Sequence, residues 1–143
     1  YERVRRRMEA MIDDRFYSHR VGTTDSELIF YLLFSEGLEE DPVGALTRTI
    51  GRIERLAREA AVNEPFKFTS VLSDGNFIYA VRHSTDDVPP TLFHCQRDDH
   101  FMVVSEPLDD EGNCEAWCEV PPGQMLVIQK NGRLQMTPFV PSI

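Results

Sequence analysis

At 143 residues, 41% hydrophobic and 27% charged, the chain has the length and composition of one soluble globular domain. Its net charge of −9 argues against a nucleic-acid partner bound through a cationic surface, and no apolar run reaches the roughly 18 residues that a membrane span needs. The three cysteines, a small and odd number, favour a reducing compartment, so we expect a cytoplasmic protein.

The first and third predicted helices are amphipathic. Apolar residues recur at spacings of three and four from Tyr1 to about Phe16, which predicts one helix over that range. Asp41 followed by Pro42 predicts the start of the third helix, because aspartate suits the N-cap and proline suits the first helical position. Its apolar stripe continues to Ala60, and residues 63–65 are expected to end it.

The second predicted helix begins with a capping box. Thr24 is expected to accept a hydrogen bond from the Glu27 amide, while the Glu27 side chain reaches back to the Thr24 amide. Residues 28–34 are all apolar, so this helix is predicted to be buried on every side. Gly37 is its predicted C-terminal signal.

Strands are predicted from residue 66 onward, where the hydrophobic period changes from 3.6 to 2. Seven are expected, at residues 66–72, 76–82, 91–96, 101–105, 116–120, 124–130 and 133–137. Ser73-Asp74-Gly75 predicts a hairpin turn, and Asn131-Gly132 predicts a type I′ turn. About three helices followed by a largely antiparallel sheet predict an α+β fold.

No catalytic residue and no cofactor are predicted from local motifs. The chain has neither a glycine-rich phosphate loop nor a G-x-S-x-G nucleophile turn. Zinc stays open as an alternative, because the spacing of Cys114 and Cys118, with Cys95, His94 and His100 near in sequence, is tolerable for a metal site. No second close pair accompanies them, however, so no metal is expected. The acidic run at residues 109–115 lacks the spacing of a calcium loop.

Asp25 is the candidate binding residue. It lies in the first turn of the second helix, where the helix dipole and free backbone amides stabilise negative charge. A carboxylate fixed at the start of a rigid helix is suited to hold an ammonium group. The capping pattern by itself favours a purely structural role for this segment.

Four groups of short motifs occur in one order along the chain, and together they resemble a known family. They are Gly22-Thr23-Thr24-Asp25-Ser26-Glu27, Ser73-Asp74-Gly75 with Ala80-Val81-Arg82, Val104-Ser105-Glu106-Pro107-Leu108, and Trp117 followed by Val120-Pro121-Pro122-Gly123. This order resembles the later part of the class II glutamine amidotransferase domain, of the bacterial stand-alone type with an N-terminal-nucleophile hydrolase fold. The resemblance extends from near Tyr1 to about Phe139.

The resemblance implies a substrate and a site. In that family an N-terminal cysteine, activated by its own α-amine, attacks the side-chain amide of glutamine, and an Asn-Gly pair forms the oxyanion hole. The chain starts at Tyr1 and contains no His-Asn-Gly run, so neither part is present. Asp25 matches the family carboxylate that binds the α-ammonium of glutamine, and Thr24 belongs to the same motif. The resemblance therefore favours substrate binding by Asp25 and Thr24.

These observations predict that residues 1–143 form one partial amidotransferase-like domain, the distal part of an αββα sandwich. The parent protein is expected to be an enzyme that hydrolyses glutamine or a γ-glutamyl compound, and the 143 residues alone are expected to be inactive. A missing N-terminal segment or another chain is the expected partner. The alternative is a non-catalytic amidotransferase-like binding module, or a subunit completed by another chain.

Overall fold

The computed structural model describes residues 1–107 and 117–142. The chain divides into a helical unit, Tyr1–Glu64 with Val140–Ile143, and a strand unit, Pro65–Phe139. The predicted α+β class is confirmed, because helices fill the first unit and antiparallel strands the second. Among the described residues, no helix combines the length and the hydrophobicity that crossing a bilayer requires. The single domain stays a prediction.

The helical unit contains α1 Glu2–Glu9, α2 Asp14–Tyr17, α3 Asp25–Ser35 and α4 Pro42–Glu59. Its buried residues come mainly from one face of each longer helix. They include Val4, Met8, Leu28, Leu32, Leu33, Leu46, Ile50 and Ile53. The apolar spacing of the sequence therefore marks the core of this unit correctly.

The prediction of one helix from Tyr1 to Phe16 is wrong, because the chain breaks at Asp13. The Asp13 carboxylate accepts from the Arg15 amide at 2.9 Å and caps α2, and the Asp13 amide donates to Ser35 Oγ in α3 at 2.9 Å. The Asp13 amide thus donates to another helix, while its carboxylate and its carbonyl accept from the first amides of α2. Ile12, which lies between the two helices, is still buried, as the apolar spacing predicted. The spacing therefore identifies the buried residue but does not reveal the break in the helix.

Helix α3 is not buried on every side, contrary to the prediction. One face, with Leu28 and Leu32, lies in the core, but Phe30 is 40% exposed. The Phe30 ring packs edge-on against Phe34, with centroids 5.0 Å apart, and Phe34 in turn contacts Phe16 at 5.4 Å. Aromatic residues therefore cover one another on the outer face, where the apolar run suggested complete burial.

Helix α4 begins as predicted and ends earlier than predicted. The Asp41 carboxylate accepts from the Gly44 amide at 3.0 Å, with Pro42 as the first helical residue. The helix ends at Glu59 because Ala61 adopts a left-handed φ of +50°. The Val62 amide then donates to the Ala57 carbonyl, which satisfies one of the last free carbonyl groups of the helix.

Seven strands lie in the described residues, all paired antiparallel: β1 Lys67–Ser73, β2 Phe77–Ser84, β3 Phe93–Arg97, β4 His100–Val104, β5 Cys118–Glu119, β6 Gln124–Gln129 and β7 Leu134–Pro138. They form a four-stranded sheet of order β1-β2-β6-β7 and a three-stranded sheet of order β4-β3-β5. Both sheets contribute to one core cluster, which contains Ala80, Leu92, Val120, Leu126 and Ile128.

The two predicted hairpin turns have different outcomes. The turn at Ser73-Asp74-Gly75 is confirmed, with the Asp74 amide donating to the Phe77 carbonyl at 3.3 Å. The turn at Gly132 is not type I′, because only Gly132 of the Asn131-Gly132 pair has a positive φ, of +86°. The Gly132 amide donates to the Gln129 carbonyl, so the loop is a type I turn followed by a left-handed glycine.

Candidate functional site

The start of α3 is built by short polar contacts, and the predicted capping box is half correct. Thr24 Oγ1 accepts from the Glu27 amide at 3.3 Å, as predicted. The Glu27 carboxylate does not reach the Thr24 amide. It accepts instead from the amides of Val21 and Gly22, at 2.9 and 2.8 Å. The chain before the helix therefore folds back over the first turn, which places two earlier amides at the carboxylate.

Asp25 is exposed in the first turn of α3, where the sequence placed it. Its Oδ1 accepts from the Ser26 amide at 2.8 Å, which fixes one carboxylate oxygen. Within residues 1–107 and 117–142 no Lys, Arg or His side chain forms a salt bridge with it. A carboxylate held at one oxygen and unpaired with a cation can accept hydrogen bonds from an ammonium group.

The two guanidinium groups that act together with Asp25 on the Tyr1 phenol, those of Arg5 and Arg20, are bound by Glu9. Burial raises the pKa of the Tyr1 phenol, the Arg5 charge opposes that rise, and the Asp25 charge adds to it. Glu9 accepts from Arg5 at 3.0 Å and from Arg20 at 3.2 Å, and these bonds lower the pKa of Glu9. Both guanidinium groups therefore have the Glu9 carboxylate as an acceptor.

A second hydrogen bond, besides those to Glu27, joins the segment before α3 to the helix. The Tyr31 hydroxyl donates to the His19 carbonyl at 2.9 Å. Tyr31 lies one turn beyond Glu27 on α3, so both side chains project from the same face of the helix. Sequence reasoning missed both contacts, since the Glu27 motif pointed to a different amide and no motif marks a tyrosine-to-carbonyl bond.

The residues named for zinc are only partly described. Cys118 is exposed and has a free thiol, whereas Cys95 is buried and disulfide-bonded, which the cysteine count did not predict. Burial lowers the pKa of the His94 imidazole, and His100 contacts Asp99.

Among the described residues no three His, Cys, Asp or Glu side chains could hold a metal ion. Cys114 and the acidic run at 109–115 lie outside the described residues, as does Leu108. The zinc alternative and the cytoplasmic location stay predictions.

The strand unit contains an open cleft of about 200 Å³ that the sequence did not indicate. It lies where the turns after β1 and β6 approach each other, and Asn76 accepts a backbone bond from Lys130 at 2.7 Å. Its lining residues are Ser73, Gly75, Asn76, Phe77, Ile78, Phe101, Ile128, Gln129 and Lys130. None of the predicted site residues is among them.

The fold and the candidate site define an α+β protein with an exposed carboxylate at a capped helix start, for which the described residues supply no cation. No protein-family model and no curated protein matches the chain. Among solved structures it is similar to a glutamine aminotransferase class-II domain protein from Silicibacter pomeroyi, with 38% sequence identity and a TM-score of 0.90. The match covers 99% of this chain and 63% of that chain, so this chain spans less than two thirds of that protein's length.

This similarity agrees with the class II resemblance drawn from the sequence motifs. The N-terminal-nucleophile hydrolase fold and the assignment of these residues to the later part of the domain stay predictions. The roles of Asp25 and Thr24 in substrate binding are likewise predictions, for which the structure supplies the geometry described above.

Proposed function

We propose that the protein functions as a glutamine amidotransferase or glutaminase that hydrolyses the side-chain amide of glutamine or of another γ-glutamyl compound. In this proposal the Asp25 carboxylate binds the α-ammonium of the substrate, and Thr24 holds the helix start in place. The observation that carries the proposal is the exposed Asp25 carboxylate at the first turn of α3, which forms no salt bridge within the part of the chain that the structure describes. The similarity to a glutamine aminotransferase class-II domain protein supports it.

The chemistry of Asp25 fits an ammonium ligand for two reasons. The amides at the start of α3 favour negative charge at this position, and the Ser26 amide already donates to Asp25 Oδ1. A charge-assisted hydrogen bond from an ammonium group is also stronger than a neutral one. We therefore expect substrates with a free α-ammonium to bind, and substrates with an acylated α-amine to bind poorly.

The bond-breaking apparatus is not among these residues. The resemblance implies a cysteine that carries a free α-amine, and the chain has tyrosine at position 1. We propose that a segment outside these 143 residues, or another chain, supplies the nucleophile and the oxyanion hole. The 143 residues alone are then expected to release no ammonia from glutamine.

The experiment that tests the proposal compares Asp25→Asn with the unchanged complete protein. Because one charge-assisted hydrogen bond is lost, we expect kcat/KM for L-glutamine to fall roughly 10- to 100-fold, mainly through KM. The inhibition constant of 4-carbamoylbutanoate, which is glutamine without its α-amino group, should not change. An unchanged kcat/KM for L-glutamine would remove Asp25 from the site.

Asp41→Asn is the matched control for that experiment. Asp41 also accepts from a backbone amide at a helix start of the same unit, at 3.0 Å, but it precedes α4 and also binds Arg48 at 3.1 Å. Asp41→Asn weakens that ion pair as well as removing a carboxylate charge, so its effect on helix stability should be at least as large as that of Asp25→Asn. We expect Asp41→Asn to leave kcat/KM unchanged, which separates ligand binding from helix stability.

The second candidate function is a binding module without turnover. It is favoured by the exposed Asp25 carboxylate, which can bind an ammonium group whether or not the bound compound is then hydrolysed. Calorimetric binding of L-glutamine without ammonia release from the complete protein would support this module. Release of ammonia on mixing would support the enzyme.

A further inference from the structure

The path of the chain into α3 is held by polar contacts from α3 and by the bond of Arg20 to Glu9 in α1. We name residues 18–24 the approach segment. Glu27 binds two of its amides, those of Val21 and Gly22, and Tyr31 binds the His19 carbonyl. Val21 is 94% exposed, so apolar burial contributes little to holding this part of the segment. Hydrogen bonds to Glu27 and Tyr31 therefore hold this part of the segment, where buried apolar side chains would otherwise do so.

The Glu27 carboxylate is suited to two neighbouring amides. Its two oxygens are both acceptors, and each takes one N–H group, Oε1 from Val21 and Oε2 from Gly22. A glutamine side chain at this position would offer one acceptor oxygen and turn an NH₂ group towards the second amide. The position of Gly22 is equally restricted, since a Cβ there would lie 2.8 Å from Glu27 Oε2.

We propose that Glu27 is a positioning residue for ammonium recognition, an inference that rests on the proposed role of Asp25. The approach segment leads directly into Thr24 and Asp25, so its path sets where these two residues stand relative to a ligand. Glu27 does not touch the substrate in this arrangement. It acts by binding the amides of Val21 and Gly22, and Leu28, which is fully buried, anchors the helix beneath it.

The kinetic test uses Glu27→Ala and Glu27→Gln in the complete protein. Glu27→Ala loses both amide bonds, and we expect KM for L-glutamine to rise roughly 10-fold while kcat changes less than 2-fold. Glu27→Gln keeps one acceptor, so it should restore part of the affinity. The inhibition constant of 4-carbamoylbutanoate should stay the same in all three proteins, because that compound has no ammonium to position.

Two variants serve as controls. Asp41→Ala removes a helix cap of the same unit and is expected to lower stability without changing KM, so a change in KM there would show that general loosening is enough. Gly22→Ala disturbs the same contact from the other side, because its methyl group displaces the Glu27 carboxylate. It should reproduce the rise in KM of Glu27→Ala.

Amide hydrogen exchange gives a readout that does not depend on activity. In Glu27→Ala the Val21 and Gly22 amides should exchange at least 10-fold faster, and in Asp41→Ala they should not. Unchanged exchange in Glu27→Ala would overturn the proposal, and so would faster exchange with unchanged KM for L-glutamine. If Asp25→Asn also leaves that KM unchanged, the proposed function itself has failed, and the exchange data report the Glu27 contact separately.

Discussion

Arg82 Nη1 donates to Glu119 Oε1 and to the Val120 carbonyl, each at 2.6 Å, and this pair of bonds joins the two sheets of the strand unit. Arg82 is 5% exposed, whereas the Glu119 side chain is 55% exposed. The Arg82 Nε atom also donates to the Pro90 carbonyl at 2.9 Å. The buried guanidinium is therefore satisfied chiefly by backbone carbonyls, with the carboxylate at its outer edge.

Replacing Arg82 by methionine is expected to lower the free energy of unfolding by about 2–4 kcal/mol, because several buried acceptors lose their donor together. Glu119→Gln should cost less than about 1 kcal/mol, since that carboxylate is half exposed and water screens its charge. Urea unfolding of both variants measures the difference. Arg133→Met, an exposed change in the same unit, should stay within about 0.5 kcal/mol. Equal costs for Arg82→Met and Glu119→Gln would contradict this account.

Gly51→Ala tests the close approach of the C-terminal segment to α4. Ser142 donates its amide to the Thr47 carbonyl at 2.9 Å, and a Cβ on Gly51 would overlap the Ser142 carbonyl. Although alanine favours a helix over glycine by about 1 kcal/mol, we expect a net loss of about 1–3 kcal/mol from the overlap.

The sign of the Gly51→Ala effect should reverse in a chain that ends before Val140. Without Ser142 the three closest contacts of the methyl group are removed, so helix propensity should stabilise that variant by about 0.5–1 kcal/mol. Thermal unfolding of the four proteins measures both values. A loss of stability in the shortened chain as well would show that another neighbour limits this position.

Asp74 is expected to give the protein part of its acid sensitivity. Backbone hydrogen bonds from Asn76 and Phe77, at 2.8 and 2.7 Å, lower the pKa of its carboxyl in the folded protein. A depressed folded pKa adds stability above the unfolded value of about 3.9, and that stability is lost as the pH falls through the folded value. Asp74→Asn should therefore flatten the fall in stability below about pH 4. An NMR titration of Asp74 with an ordinary carboxyl pKa would contradict this prediction.

The loop between β6 and β7 offers a test of the turn type. Gly132 has a φ of +86°, so Gly132→Ala should cost about 1–2 kcal/mol. Asn131 has a negative φ, and its Oδ1 accepts from the Arg133 amide at 3.0 Å, so Asn131→Ala should cost less, about 0.5 kcal/mol. Urea unfolding compares the two. Equal losses of unfolding free energy in Gly132→Ala and Asn131→Ala would favour the type I′ turn that the sequence suggested.

Local patterns predicted the features that depend on residues close in sequence. The Thr24 and Asp41 caps each join groups three residues apart, and they lie where the sequence placed them. The seven strands follow from alternating apolar residues, because one face of each sheet needs cover from water. At the break before α2, the Asp13 cap is local and lies two residues from its donor, but the bond of the Asp13 amide to Ser35 joins two helices and could not be read from spacing.

The candidate site also contains features that the sequence predicted and features that only the structure shows. Asp25 was singled out from its place in a helix-start motif and from a family resemblance, and its role stays a prediction. The Glu27 carboxylate accepts from the amides of Val21 and Gly22 because the chain folds back before α3. No rule of residue spacing predicts that fold-back. The sequence by itself determined the elements, the caps and the candidate residue, since hydrogen bonds within one turn and apolar periodicity are local. Only the tertiary structure decided what Glu27, Arg82 and Gly51 contact, because those partners depend on how separate segments pack.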